Sequence, residues 1–177
     1  MGELKTGLRV QNQKEIYMIK VEQVFFIDAT PKKVATAMRN YKMIEESELN
    51  RDTLEVEIKE LKKNKTHHEF EIHTVNYARG VTGIDKGKTE KSYSHQKWDL
   101  DALTGEWVWH GSHGPRVKVT GSNLLTKEGK GTNVTMQMQA EIGVPLVGKT
   151  IEKKVAKGFK DAWPNYIKVV EKWTKKK

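Results

Sequence analysis

The chain has 177 residues, the size of one domain, with 36% hydrophobic and 31% charged residues. Its 5 Trp, 5 Tyr and 4 Phe can build a core, which excludes wholesale disorder, and the absence of Cys excludes disulfides, thiolate nucleophiles and Cys-based zinc sites. The net charge of +9 is concentrated at one end: from Val144 onward ten Lys stand against Glu152, Asp161 and Glu171.

In chain order, residues 1–14 are polar and read as a loose arm. The start, Met1-Gly2-Glu3-Leu4-Lys5-Thr6, matches the permissive myristoylation pattern, with nothing else in the chain demanding an anchor. A strand is predicted over 15–28, ending in Val24-Phe25-Phe26-Ile27. That run of four is the longest unbroken apolar run, too short for a membrane-spanning helix or a signal-peptide core, so a cytoplasmic location is the default expectation. The sequons at Asn64 and Asn133 then carry no meaning. Thr30 can cap a helix with Pro31 in its first turn, because proline lacks only an amide that would be unpaired there. This helix runs to about Arg39, and a second short one covers 41–49.

Alternating strands follow. Leu54, Val56 and Ile58 alternate with Glu55, Glu57 and Lys59, which gives one apolar and one wet face. Lys62-Lys63-Asn64-Lys65 reads as a hairpin loop, and Phe70, Ile72 and Thr74 form the inner face of the next strand. Residues 79–90, with three glycines, read as a loop. Further strands are predicted at 91–99, 106–112, 117–126 and 132–142. The last has Val134, Met136, Met138, Ala140 and Ile142 on one face. A long helix begins near Pro145, with Val147, Ile151, Val155, Phe159, Ala162, Trp163, Tyr166, Val170 and Trp173 on one stripe and a kink expected at Pro164.

Two segments carry a family likeness: Val24-Phe25-Phe26-Ile27-Asp28-Ala29-Thr30-Pro31-Lys32-Lys33-Val34, and Ile142-Gly143-Val144-Pro145-Leu146-Val147-Gly148-Lys149. With the element order, they make residues 15–175 resemble the START-like, birch-pollen-allergen-like (SRPBCC) helix-grip superfamily. The resemblance implies an α+β fold in which a curved seven-stranded antiparallel sheet holds a long C-terminal helix, with two short helices after the first strand. It also implies a cavity between sheet and helix. Members bind lipids, sterols or polyketides, and a minority are cyclases, hydratases or chaperone activators. The Gly-rich loop of the pollen-allergen branch is replaced here by Lys62-Lys63-Asn64-Lys65, which argues against an allergen-type ligand.

Within that frame, Trp107 and Trp109 share one strand face, Met136 and Met138 another, and Phe159, Trp163 and Tyr166 lie on the helix stripe. If the faces meet, these residues line one space, and adaptable methionine suits a binding wall; an ordinary packed core is the plainer reading of each alone. His95 shares a face with Tyr93, and inward pointing would let it orient a ligand hydroxyl or carbonyl. The spacing of the six histidines, including His110 and His113, supplies no metal site and no cofactor is implied. Thr82-Gly83-Ile84-Asp85-Lys86-Gly87-Lys88-Thr89 approaches a phosphate loop, but a strand follows it where a helix is needed. Lys153, Lys157, Lys160 and Lys168 flank the apolar stripe of the last helix and can face anionic lipid headgroups, whereas no nucleic-acid motif is present. No nucleophile, base and orienter trio is legible. The expectation is a carrier or sensor of a small apolar or amphipathic molecule; the rivals are a polyketide-cyclase-like enzyme using the same cavity and a chaperone-linked interaction module.

Overall fold

The computed structural model describes residues 4–11, 14–49, 53–80, 83–111, 117–142 and 148–176, with side chains over 18–49, 53–78, 83–111, 117–142 and 156–176. The elements are β1 (Leu4–Gln11), β2 (Lys14–Ile27), α1 (Pro31–Met38), α2 (Tyr41–Leu49), β3 (Thr53–Lys63), β4 (His67–Gly80), β5 (Gly83–Asp99), β6 (Thr104–His110), β7 (Val117–Glu128), β8 (Gly131–Ile142) and α3 (Gly148–Thr174). The expected α+β helix-grip architecture is present: one antiparallel sheet, two short helices after the long first core strand, and a long C-terminal helix.

The sheet runs β1-β2-β8-β7-β6-β5-β4-β3. The seven expected strands are β2 to β8, and an eighth, β1, joins them at the β2 edge. That added strand lies in the segment read as a loose arm. Leu4 through Gln11 pairs with Val21 back to Lys14 in a tight hairpin, because the backbone groups of the β2 edge are free to accept a partner whatever its polarity. The glycine-containing stretch at 79–90 also differs from the expected loop. β4 reaches Gly80 and β5 starts at Gly83, and the two pair directly. Gly80 and Gly83 pair with each other, and Gly87 lies in a bulge: Tyr77 opposes Thr89 and Ala78 opposes Asp85, which leaves Lys86, Gly87 and Lys88 outside the ladder. Asp85 Oδ1 accepts from the Gly87 amide at 2.9 Å and closes that turn. Thr82 of the near-phosphate-loop segment, His113, the Met1-Gly2 start and the 143–147 turn into the last helix lie outside the described residues, as do the side chains of Val147, Ile151, Val155 and Lys153.

α1 starts as expected at Pro31, but Thr30 makes no side-chain cap bond. The capping device belongs to α2, where Asn40 Oδ1 accepts from the Lys42 and Met43 amides at 3.0 and 3.3 Å. α3 runs unbroken through Pro164, which costs it one bond to the Lys160 carbonyl. Its face of Ala156, Trp163, Ile167 and Val170 is buried. The core joins these to Ile19, Val21 and Ile27 of β2, the inner residues of β8, and Val34, Met38, Met43 and Ile44 of α1 and α2. Glu46 of α2 fastens the end of α3: it accepts from Lys172 Nζ at 2.7 Å and from the Trp173 indole at 2.9 Å.

Candidate groove on the concave face

Alternation along each strand fixes which side chains meet α3. On β8, Val134, Met136, Met138, Ala140 and Ile142 are all buried, as the sequence pattern predicted. Register carries that face across the sheet. One row runs Val21, Met138, Gly121, Trp107 and Gln96; the next runs Gln23, Met136, Asn123, Gly105 and Trp98. A third joins Ile19, Ala140, Val119, Trp109, Ser94 and Ile72. Trp107, Trp109, Met136 and Met138 therefore share the concave face. Phe159 of α3 stacks over Trp107 with ring centroids 6.3 Å apart, and Trp163 meets Phe159 edge-on at 5.8 Å. Tyr166 is half-buried against the same core.

Glycines let the tryptophans lie down. A Cβ at Gly105 would fall 2.7 Å from Trp98, and Cβ atoms at Gly111 and Gly121 would overlap the rings of Trp109 and Trp107. Each indole lies flat across a residue with no side chain, instead of standing up into the interior.

Tyr93 and His95 are a correction. Both point to the convex face, because buried Trp98 sets the inward parity of β5 and leaves the odd positions outside. Tyr93 is 38% exposed and is stacked between His73 and His110, with centroids 5.5 and 4.5 Å away. His95 Nε2 bonds Glu69 Oε1 at 2.7 Å. Neither reaches the space facing α3. On α3, Lys157 and Lys168 are exposed and Lys160 is half-buried.

Coverage of the concave face is uneven. α3 packs on β2, α1 and α2. The inner residues of β2 and β8 are mostly sealed, while Ile58, Ser94, Gln96, Trp107 and Trp109, and Phe159 opposite them, stay partly exposed. The result is an open-sided groove with an aromatic wall. Its floor toward β3 is polar: Thr53 Oγ1 donates to Asn76 Oδ1 at 2.8 Å, Asn76 Nδ2 donates to Thr74 Oγ1 at 2.9 Å, and Thr74 and Ser92 share a bond at 2.8 Å. Sequence reasoning missed this ladder, although Thr74, Asn76 and Ser92 occupy inward parity. The convex face has a trough of about 630 Å³ between the rows Lys20, Gln139, Thr120, Val108 and Glu22, Gln137, Ser122, Glu106. The second row is polar and bonded along its length: Gln137 Nε2 donates to Glu22 Oε2 at 2.5 Å and Ser122 Oγ donates to Gln137 Oε1 at 3.4 Å.

A second missed feature lies where α1 meets β4. His68, buried among Tyr41 and Phe70, accepts at Nδ1 from Arg39 at 3.3 Å; its Nε2 meets the Tyr41 hydroxyl at 3.0 Å, which donates to Glu60 at 2.8 Å. Burial first, and the Arg39 and Lys63 charges next, hold the imidazole below its usual pKa. Burial also pushes the Tyr41 phenol up, with the Glu60 carboxylate adding to the shift. His68 is thus neutral, with both ring nitrogens engaged. Among the described residues no group of three metal-ligating side chains converges, and no helix is long and apolar enough to cross a membrane.

A family model described as protein of unknown function (DUF2505) matches residues 27–174. No curated protein matches the chain. Solved structures share the fold at low identity. TTHA0849 from Thermus thermophilus is 16% identical with a TM-score of 0.62, covering 88% of this chain and 96% of that one. Ara h 8.0201 is 14% identical with a TM-score of 0.57, over 89% and 97%. The Zhui aromatase/cyclase from a Streptomyces species is 12% identical with a TM-score of 0.52, over 89% and 91%. The chain therefore has the helix-grip fold of the START-like, birch-pollen-allergen-like superfamily.

Proposed function

This chain belongs to the family of proteins of unknown function DUF2505, and from that premise we propose that it binds and carries a small apolar or amphipathic, lipid-like molecule in the groove between sheet and α3. The observation that carries the reading is the partly exposed aromatic wall of Trp107, Trp109 and Phe159 on the concave face, whose neighbours on β2 and β8 are mostly sealed. Apolar area is worth about 25 cal/mol per Å² when removed from water, and a large aromatic left partly wet inside a fold is where a ligand gains that term. The polar ladder of Thr74, Asn76 and Ser92 supplies the few oriented groups that a mostly apolar site needs. The Lys157, Lys160 and Lys168 flank of α3 would draw this face toward anionic headgroups, each Lys contributing about 1 kcal/mol near the surface.

A cyclase-like reaction in the same groove is the second reading, favoured by the chain of titratable groups Arg39, His68, Tyr41 and Glu60. The carrier reading is preferred because neither ring nitrogen of His68 is free to move a substrate proton. The test is displacement of a fluorescent apolar probe by fatty acids and sterols, with a native mass spectrum of gently purified protein. Competitive displacement, lost in Phe159→Ala, is expected. Absence of both bound molecules and displacement would end the carrier reading.

A further inference from the structure

Two inward side chains are left unused by the fold. Gln23 of β2 and Asn123 of β7 flank Met136 of β8 in one row of the concave face. Gln23 Oε1 and Asn123 Oδ1 are buried and neither has a hydrogen-bond partner. Asn123 is only 6% exposed. The contrast with Asn76 on the same face is plain, because its oxygen and nitrogen are both engaged. A buried amide oxygen without a partner lowers stability, and an apolar residue of the same shape would avoid that loss. Asn123 also follows Gly121 by two positions, so it neighbours the Trp107 ring that lies on that glycine and stacks on Phe159. One strand, β8, separates them, so two inter-strand spacings place their backbones about 10 Å apart.

We propose that Gln23 and Asn123 form the anchoring subsite of the groove: they bond the hydroxyl groups of a flat, hydroxylated apolar molecule whose ring lies against Trp107 and Phe159. The inference rests on the carrier reading above and names its ligand class. A hydroxyl both donates and accepts, so it satisfies an amide turned either way. An ionised carboxylate only accepts, and burying its charge unpaired is costly, so an alcohol or phenol fits these two amides better than a fatty-acid head.

The experiment titrates naphthalene-2,7-diol and 2,7-dimethoxynaphthalene, followed by naphthalene fluorescence, into the wild type, Asn123→Leu and Gln23→Met. The wild type is expected to bind the diol at least tenfold more tightly than the ether. Each variant should lose two- to tenfold in diol affinity, leave the ether unchanged, and melt at a higher temperature than the wild type. Equal wild-type affinity for diol and ether overturns the inference and leaves the carrier reading standing. Diol affinity unchanged in both variants, or melting below the wild type in both, assigns the amides to the fold and overturns it too. Failure of both probes to bind overturns the inference, while displacement of the apolar probe by fatty acids or sterols decides the carrier reading separately.

Discussion

Gly105→Ala should destabilise the protein through Trp98 and through nothing else. The two residues are direct partners across β5 and β6. A Cβ at Gly105 would lie 2.7, 2.9 and 2.9 Å from three atoms of the indole, and no backbone atom or other side chain is among its nearest neighbours. Trp98 is 3% exposed, so its ring has nowhere to swing. Gly105 does not have a positive φ, so alanine adds no backbone strain there. Overpacking of a sealed core costs about 1–3 kcal/mol. For a chain of this length each kcal/mol shifts the melting temperature by about 2–4 °C, so a fall of roughly 2–12 °C is expected in thermal unfolding followed by near-UV circular dichroism. The decisive comparison is a double-mutant cycle. In a Trp98→Leu background the clash is gone, so adding Gly105→Ala should change stability by less than about 0.5 kcal/mol, giving a coupling energy close to the whole single-mutant cost. An equal loss in both backgrounds, or no loss in either, would refute the assignment of Trp98 to the inner face against Gly105.

Other expectations follow from the same geometry. Because burial lowers the folded-state pKa of His68 below 6.5, the unfolded chain binds more protons as pH falls through that value, so stability drops on acidification by at most about 1.4 kcal/mol per pH unit from this group; chemical denaturation from pH 7 to pH 5 should show the slope, and His68→Gln should flatten it. Glu46→Gln removes the carboxylate that holds Lys172 and the Trp173 indole, so amide exchange in the last turn of α3 should accelerate while β8 keeps its protection. Replacing Lys157, Lys160 and Lys168 together by Gln should weaken co-sedimentation with phosphatidylserine vesicles at low salt; the wild type should lose that binding as ionic strength rises. Unchanged sedimentation of the triple variant would assign those lysines to a solvated face.

Much of the fold was legible because period-2 and period-3.6 patterns survive where one face is buried and the other wet. β8, with every apolar residue at inward parity, and α1 and α2, with their short apolar faces, fell where the pattern put them. Parity within β5 was not legible. Its inward positions are Ser92, Ser94 and Gln96, while aromatic Tyr93 and His95 face out, so hydrophobicity pointed the wrong way until Trp98 fixed the register. β3 misled for a related reason. A register shift between Thr53 and Glu55 leaves Leu54 exposed beside half-buried Val56 and Ile58. β1 reads as a polar arm although Leu4, Thr6, Leu8 and Val10 alternate with Lys5, Gly7, Arg9 and Gln11, because the charged residues and the glycine between them mask the period. The unpaired amide oxygens of Gln23 and Asn123 cannot be seen in a sequence at all, since only three-dimensional neighbours reveal that a polar atom has no partner.

The central claim is that a ligand enters the concave side of the sheet. Nitrogen-15 correlation spectra recorded while a hydroxylated naphthalene is titrated in test it most directly. The account predicts that the indole signals of Trp107 and Trp109 and the side-chain amide of Asn123 shift in a saturable way, while the backbone amides of Tyr93 and His95 on the convex face stay still. Shifts confined to the convex face, or none at saturating probe, would contradict it.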